Sequence, residues 1–225
     1  MIVWLASYPR SGNTLLRQLL KQVFHQETYS FSNDVKDLGS DQVAAKIVGH
    51  LIYESSWDEF FSQSSLSTKP VFIKTHQPPC DQSKVIYIVR DGRAAIVSYY
   101  HLLHDYRRRT DIDIPKVIRG ETPLGSWSEH LEHWQPLTRT ECLLLRFEDL
   151  IEKPAECIKK ITLFTRLTPE SNWQNPLEKL RDAMPGFFRR GSNQENIKEL
   201  NEIDEVHFWE LHRPWMTKLG YGQHE

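Results

Sequence analysis

Cysteine is scarce in this chain, and its scarcity bears on the compartment in which the protein works. Among 225 residues there are three cysteines, Cys80, Cys142 and Cys157, and no CxxC spacing. So sparse and scattered a set excludes a disulfide framework and is typical of proteins in a reducing compartment. We therefore expect free thiols and a cytoplasmic protein.

Long hydrophobic runs are missing as well. A membrane-spanning helix needs about 18 or more consecutive apolar residues, and no segment of the sequence offers them. The opening run MIVWLA is followed by positive charge, whereas a signal peptide has its positive charge before the apolar run. We expect neither a membrane span nor a secretory signal.

Charge of one sign is not in excess. Lys and Arg number 28 against 30 Asp and Glu, a formal net charge of -2, which excludes a general electrostatic attraction to nucleic acid. With 39% hydrophobic and 26% charged residues, the chain is able to bury a core. Neither an internal repeat nor a Gly/Ser-rich linker divides it, so we expect one domain over residues 1–225.

Strand and helix patterns alternate along the chain. Four β-prone runs, MIVWLAS, PVFIKT, KVIYIV and CLLLRF, are interleaved with segments of helical spacing such as LLRQLLKQVF, RAAIVSYYHLLHDY, SEHLEHWQPL and EKPAECIKKITLF. PLEKLRDAM and the segment from Asp204 to Leu219 also have helical patterns. The order predicts an α/β fold, a parallel sheet with helices on both faces. The charged, Pro- and Gly-containing segment from Arg107 to Pro123 has no sustained period, and we interpret it as a long loop and candidate lid.

The loop after the first predicted strand, SYPRSGNT at residues 7–14, has the composition of an anion site. It enters a helix, where backbone N–H groups are free, and it adds one glycine, one arginine and three side-chain donors. Phosphate-ester binding suits it, although a capped turn has the same residue types. A Walker A loop needs a Gly-Lys pair, which is absent here, so an ordinary kinase or ATPase is disfavoured.

The extended segment SYPRSGNTLLRQLL resembles the phosphosulfate-binding loop of the sulfotransferases, which use 3′-phosphoadenosine 5′-phosphosulfate (PAPS) as donor. Four later segments resemble the same family in the same order: KTH, IVRDGRAAIVSYYH, GSWSEHLEHW and FFRRG. Together they cover most of the chain, from Ser7 to Gly191. KTH and GSW resemble the soluble branch that acts on small acceptors. The resemblance implies a P-loop-like α/β fold, sulfuryl transfer from PAPS to a hydroxyl or amine, release of PAP and no required metal.

The resemblance also implies the donor-binding residues. Those for the 5′-phosphosulfate are Arg10, Ser11, Gly12, Asn13 and Thr14. Those for the 3′-phosphate are Arg90, Ser98, Arg189, Arg190 and Gly191. Leu15 and Phe147 complete the implied set.

Three residues are expected to carry the chemistry. His76 is the candidate general base, since an imidazole accepts a proton near neutral pH. Lys74, two residues earlier on the same strand face, and Arg10 would stabilise the charge on the sulfuryl group. Arg10 replaces the lysine usual in the family and is expected to bind better than it protonates. Leu15 replaces a tryptophan that stacks on adenine, so donor affinity is expected to be lower.

Four further histidines are interpreted as structural. His130 and His133 lie in the order EHLEH rather than HExxH, which favours a solvated helix face over a metal site. His101 and His104 follow Ser98 closely enough to border an acceptor pocket, but packing is favoured.

Charged and aromatic residues elsewhere are interpreted in the same way. The run Arg107 to Arg109 is expected to be solvated rather than to meet an acidic acceptor. Trp127 and Trp134, seven residues apart, are expected in the core. Glu148 and Asp149 are expected to cap a turn after a strand.

Three other functions remain open on the sequence: a nucleotide kinase, a noncatalytic PAP-binding protein, and a protein-tyrosine or glycan sulfotransferase. A kinase would need a Gly-Lys loop, a PAP-binding protein leaves Lys74 and His76 unexplained, and the third class usually works in the secretory pathway. The expected partner is a small acceptor, aromatic or apolar given the 25 aromatic residues. No dimer motif is clear at residues 198–205, so a homodimer is not indicated.

Overall fold

Five short parallel strands form one sheet in the computed structural model, which describes residues 1–31, 42–183, 187–188 and 192–222. The strands are β1 (Ile2–Ala6), β2 (Tyr29–Ser30), β3 (Val71–Thr75), β4 (Lys84–Val89) and β5 (Cys142–Arg146). The helices are α1 (Asn13–Phe24), α2 (Gln42–Val48), α3 (Trp57–Leu66), α4 (Gly92–His101), α5 (Ile114–Ile118), α6 (Trp127–Trp134), α7 (Phe147–Glu152), α8 (Pro154–Thr165), α9 (Leu177–Ala183), α10 (Asn193–Ile197) and α11 (Glu202–Lys218). A π-helical turn, Leu102–Tyr106, extends α4.

The strand order β2-β3-β1-β4-β5 decides where a ligand site lies. β1 is central, paired with β3 on one side and β4 on the other. From β1 the chain runs first to β2 and β3 on one side, and it then crosses to β4 and β5 on the other side. In open α/β sheets such a change of direction leaves a crevice at the carboxyl ends of the strands. The loop at residues 7–14 occupies that position.

Helices cover both faces of the sheet because the strands are apolar on both faces. Val3 and Leu5 of β1 pack with Leu16 and Leu19 of α1 on one face. On the other, Trp4 and Ala6 belong to a core shared with α4, α6 and α11. All these core residues are at most 1% exposed. The two cores hold the crevice loop from both sides.

The structure confirms the predicted α/β fold, including the four predicted strands. The long-loop interpretation of Arg107 to Pro123 is wrong at Ile114–Ile118, which forms α5. Asp113 caps this helix, Pro115 lies in its first turn, and Val117 and Ile118 are fully buried. A helix of five residues is too short to show a period. None of the helices within the described ranges is long and apolar enough to span a membrane.

Candidate active site

The loop between β1 and α1 is shaped by two left-handed residues and one buried amide. Arg10 has φ 65° and Gly12 has φ 106°. The Asn13 amide donates to the Leu5 carbonyl at 2.8 Å and to Ser7 Oγ at 3.3 Å, which ties the start of α1 back to β1. The Ser11 hydroxyl is buried, and none of the residues that the structure describes forms a hydrogen bond with it. The Ser11 hydroxyl is therefore able to donate a hydrogen bond to a ligand at the centre of the loop.

Gly12 lies against Phe147, the residue that directly follows β5. A Cβ atom built on Gly12 would lie 2.6 Å from Cδ2 of Phe147, closer than such atoms approach one another in proteins. Phe147 is the first residue of α7, not the end of a strand as its sequence pattern indicated. Its ring therefore packs directly against the loop, and only glycine fits at position 12.

Arg90, which follows β4, is held by three contacts. Its Nε donates to Asn193 Oδ1 at 2.7 Å, its Nη1 donates to the Arg10 carbonyl at 3.0 Å, and its guanidinium lies 4.4 Å over the Phe147 ring. Its Nη2 is buried and has no hydrogen-bond partner among the described residues. Burial lowers the pKa of Arg90 to about 10, partly offset by Glu148 and Asp91, so the group stays charged at pH 7. A buried cation with an N–H group that the described residues leave unengaged suits an anionic ligand.

Glu148 has a larger role than the capping predicted for it. Its carboxylate accepts from the Asp91 N–H at 3.2 Å and from the Tyr221 hydroxyl at 2.8 Å, and it also accepts from the Asn193 amide. Because Asn193 in turn accepts from Arg90, Glu148 orients the guanidinium through a shared partner. These hydrogen bonds join residues that are far apart in sequence, so no local sequence pattern indicates them.

Ser98 meets the loop through Arg10. The Arg10 Nε donates to Ser98 Oγ at 3.1 Å, its Nη2 donates to the Phe187 carbonyl, and its guanidinium lies 4.6 Å from the centre of the Phe187 ring. Arg90 and Ser98 were predicted to face one ligand, and both line the same cavity. The bend between β4 and α4 therefore brings them together.

Lys74 and His76 lie on the other side of the loop, at the end of β3. His76 Nδ1 is 2.7 Å from the Ser7 carbonyl, which only accepts, so Nδ1 carries the proton and Nε2 is left as an acceptor. Burial, with Lys74 adding a smaller effect, holds the pKa of His76 well below its usual 6.5. The imidazole is thus neutral at pH 7 with one basic nitrogen, the form that a general base requires.

His130 contradicts its predicted solvated position. It is 3% exposed, its Nε2 is 3.2 Å from the His76 carbonyl, and its Nδ1 is 2.7 Å from the Tyr87 hydroxyl. Burial lowers the pKa of His130 to about 3, so it is neutral and donates from Nε2. His133 is exposed, as predicted. The signal overlooked was spacing, because His130 lies three residues after Trp127 and four before Trp134, both buried.

One cavity of about 150 Å³ lies between the Arg90 side and the His76 side of the loop. Predicted site residues that line it are Arg10, Gly12, Asn13, Thr14, Leu15, Lys74, His76, Arg90, Ser98 and Phe147. Arg189, Arg190 and Gly191 lie outside the described residues. Among the described residues that line the cavity, six are Arg or Lys and none is Asp or Glu. The cavity is therefore strongly cationic.

The remaining candidates are placed by the structure as follows. Trp127 and Trp134 are in the core. His101 bonds Asp105 and Glu199, and neither it nor His104 is among the cavity residues. Within the described ranges, no group of three or more His, Cys, Asp or Glu is arranged to hold a metal ion.

Comparison with known proteins decides the family. A model of the sulfotransferase domain matches residues 2–215. The chain belongs to the sulfotransferase family. The chain is 30% identical over 184 residues to sulfotransferase 1A1 of Bos taurus, with 74% of the chain and 59% of the relative covered. It is 23% identical over 181 residues to sulfotransferase 1E1 of Mus musculus, with 74% and 59% covered. The chain therefore spans less than two thirds of the length of these relatives.

Two solved structures share the fold of this sulfotransferase. Mouse sulfotransferase SULT7A1, solved with PAP, superimposes with a TM-score of 0.67 at 17% identity, covering 98% of this chain and 86% of that one. Retinol dehydratase, solved with androsterone and inactive cofactor PAP, gives 0.62 at 18% identity, covering 96% and 80%. These likenesses bear out the P-loop-like α/β fold that the resemblance implied.

Proposed function

We propose that this chain is a PAPS-dependent sulfotransferase that transfers a sulfuryl group to a hydroxyl or amine of a small acceptor. Family membership supports the class of reaction, and PAP in both similar solved structures supports the donor. The observation that carries the proposal is that one cavity, next to the loop at residues 7–14, is lined by residues from both sides of β1. Arg90 and Ser98 lie on one side, and Lys74 and His76 lie on the other.

The Arg90 side suits the 3′-phosphate of the donor. No residue in the described part of the chain pairs with the buried Nη2 of Arg90, and a phosphate oxygen would supply a partner. Asn193, Phe147 and the Arg10 carbonyl hold the guanidinium in place, so little rotamer freedom is lost on binding. A nucleotide without the 3′-phosphate would leave this cation unmatched, which distinguishes PAP from ATP.

The transfer reaction takes place on the side of Lys74 and His76. The acceptor oxygen or nitrogen forms a bond to sulfur while the bond from sulfur to the bridging oxygen of the 5′-phosphate breaks, and PAP leaves with that oxygen. The acceptor proton goes to Nε2 of His76, whose Nδ1–H is engaged by the Ser7 carbonyl. Lys74 and Arg10 stabilise the charge on the sulfuryl oxygens and on the departing oxygen.

His76 is held by its backbone as well as by its ring. The His76 carbonyl only accepts, so it fixes the His130 tautomer with the proton on Nε2, and this bond holds the residue that follows β3. His130 Nδ1 then accepts from the Tyr87 hydroxyl. His130 is a positioning residue in this proposal because it touches His76 and not the reacting atoms. A shift of about 1 Å in a catalytic group is able to cost about 100-fold in rate.

The walls of the acceptor pocket are expected to be mostly apolar. Tyr99, Leu102, Leu124 and Phe188 line the cavity together with the catalytic groups. Apolar walls with a few polar groups are usual for small-molecule sites. An aromatic or aliphatic alcohol, or the corresponding amine, fits this lining.

Two variants test the division of roles. His76→Ala should keep the PAP affinity of the parent and lose most turnover, because no group of the donor is assigned to its ring. Arg90→Ala should weaken PAP binding by about ten- to hundredfold, the range for hydrogen bonds to charged groups. PAP affinity is measured by calorimetry and turnover by the PAP released from PAPS with 2-naphthol as acceptor. Arg139→Ala is the matched control, because Arg139 donates to the carbonyls of Asp81 and Ser83 and does not line the cavity.

Equal loss of PAP binding in both variants would overturn the assignment. PAP binding without turnover of any acceptor would favour a noncatalytic PAP-binding protein. Tighter binding of ATP than of PAP would favour a nucleotide kinase.

A further inference from the structure

Arg17 is a buried cation in the cavity to which neither the family resemblance nor the mechanism assigns a role. It lies on α1, three residues beyond Thr14, and lines the same cavity as Lys74 and His76. Its side chain and backbone together are 2% exposed. A guanidinium so deeply buried is costly unless its charge is matched.

The partners of Arg17 within the described residues are neutral. Its Nε donates to Thr28 Oγ1 at 2.6 Å, and its Nη2 donates to His50 Nδ1 at 3.1 Å. Because a guanidinium only donates, the His50 nitrogen that faces it is an acceptor and carries no proton. Burial lowers the pKa of Arg17 to about 10, so it remains charged at pH 7.

A comparison with another buried arginine shows what Arg17 lacks. Arg93 forms an ion pair with Asp91 at 2.8 Å and is also 3.6 Å from Glu205. Arg17 has no carboxylate within 4.0 Å in the part of the chain that the structure describes, and no acceptor there reaches its Nη1. Its positive charge is therefore unmatched by those residues.

The sheet order places Arg17 on the acceptor side of the loop. Its partner Thr28 directly precedes β2, the edge strand next to β3, and β3 ends at Lys74 and Thr75, just before His76. Arg90 and Ser98 lie across β1, on the β4 side. The anionic groups of the donor are assigned to Arg90, Arg10, Lys74 and the loop, so no donor group is assigned to Arg17, and no described carboxylate pairs with it.

We propose that Arg17 binds an acidic group of the acceptor, so that the preferred acceptors carry a carboxylate or sulfonate in addition to the hydroxyl or amine that is sulfated. This inference rests on the proposed function and narrows its acceptor class. The apolar lining takes the body of the acceptor, His76 takes the proton, and Arg17 supplies a charge-assisted contact in a site shielded from water.

The test compares two acceptors that differ only in the acidic group, 2-naphthol and 6-hydroxy-2-naphthoate. Turnover with PAPS gives kcat/KM for each, and calorimetry gives the affinity of each for the PAP-saturated protein. We expect the wild type to prefer the carboxylate by about tenfold or more, as for one hydrogen-bonded ion pair. Arg17→Gln should abolish that preference, because it should lower kcat/KM for the carboxylate about tenfold more than kcat/KM for 2-naphthol. Arg17→Lys should retain part of it because it keeps the charge.

Arg139→Gln, outside the cavity, is the control and should keep the full preference. The inference is overturned if the wild type does not prefer the carboxylate in either assay. It is equally overturned if Arg17→Gln lowers both acceptors alike, which indicates a structural role through Thr28 and His50. Failure of the proposed function is distinguishable, because it appears as loss of PAP binding or of PAPS turnover in the wild type itself.

Discussion

Gly12→Ala perturbs the loop at its most constrained point. The residue has φ 106°, where an L side chain costs roughly 1–2 kcal/mol. The new Cβ would lie 2.6 Å from Phe147 Cδ2, and overpacking of this kind typically costs about 1–3 kcal/mol. The two costs together lower the free energy of unfolding by roughly 2–5 kcal/mol. Because Phe147 also lies under Arg90, displacement of its ring moves that guanidinium and should weaken PAP binding.

Thermal unfolding with and without PAP measures both effects. For a domain of this size the loss corresponds to a fall of about 4–20 °C in Tm. The matched control is Gly222→Ala, because a Cβ at Gly222 meets no atom within 4 Å. If Gly12→Ala and Gly222→Ala melted together and bound PAP as the wild type does, the packing of Phe147 against the loop would be refuted.

Three further predictions concern the histidines. The acidic limb of kcat/KM should lie below pH 6.5, because the lowered pKa keeps His76 in its basic form as pH falls; a limb above 6.5 in a pH-rate profile would contradict this. His130→Phe, which removes the donor to the His76 carbonyl, should lower kcat about tenfold and leave PAP affinity unchanged; loss of both in parallel would indicate a merely structural role. His212 of α11 is buried like His130, and its ring nitrogens contact the Ile118 carbonyl and the Ser128 hydroxyl. Burial lowers the pKa of His130 to about 3 and that of His212 to about 4, so the stabilisation by their neutral rings is complete above pH 6.5 and is lost as pH falls. Between pH 7.5 and pH 5, urea unfolding should show that the free energy of unfolding falls by about 2 kcal/mol for each of these two histidines. An unchanged urea midpoint would be incompatible with neutral buried rings.

Local sequence patterns predicted the parts of the fold that local forces determine. A short apolar strand such as Val71–Thr75 and an amphipathic helix such as α1 carry their own periodicity, and the structure has both. The loop at residues 7–14 was recognisable from its composition and its place between a strand and a helix. α5 was missed because one helical turn shows no period, although its cap Asp113 and Pro115 were present as signals.

Long-range polar contacts were beyond local reasoning. Glu148 meets Asp91 and Tyr221 across the crevice, and His130 reaches the carbonyl of His76 from a different helix. These contacts depend on which elements become neighbours, which the strand order decides. Arg17 was overlooked for the same reason, since an arginine in a leucine-rich helix has the pattern of a solvated residue until its burial is known.

The central claim is a cavity built for a nucleotide with a 3′-phosphate, and calorimetric titration of PAP into the purified protein without added metal tests it most directly. 5′-AMP and ATP serve as controls, because neither carries the 3′-phosphate assigned to Arg90 and Ser98. The account predicts PAP binding at about micromolar Kd, with both controls weaker by about tenfold or more. PAP binding no tighter than that of 5′-AMP would contradict it.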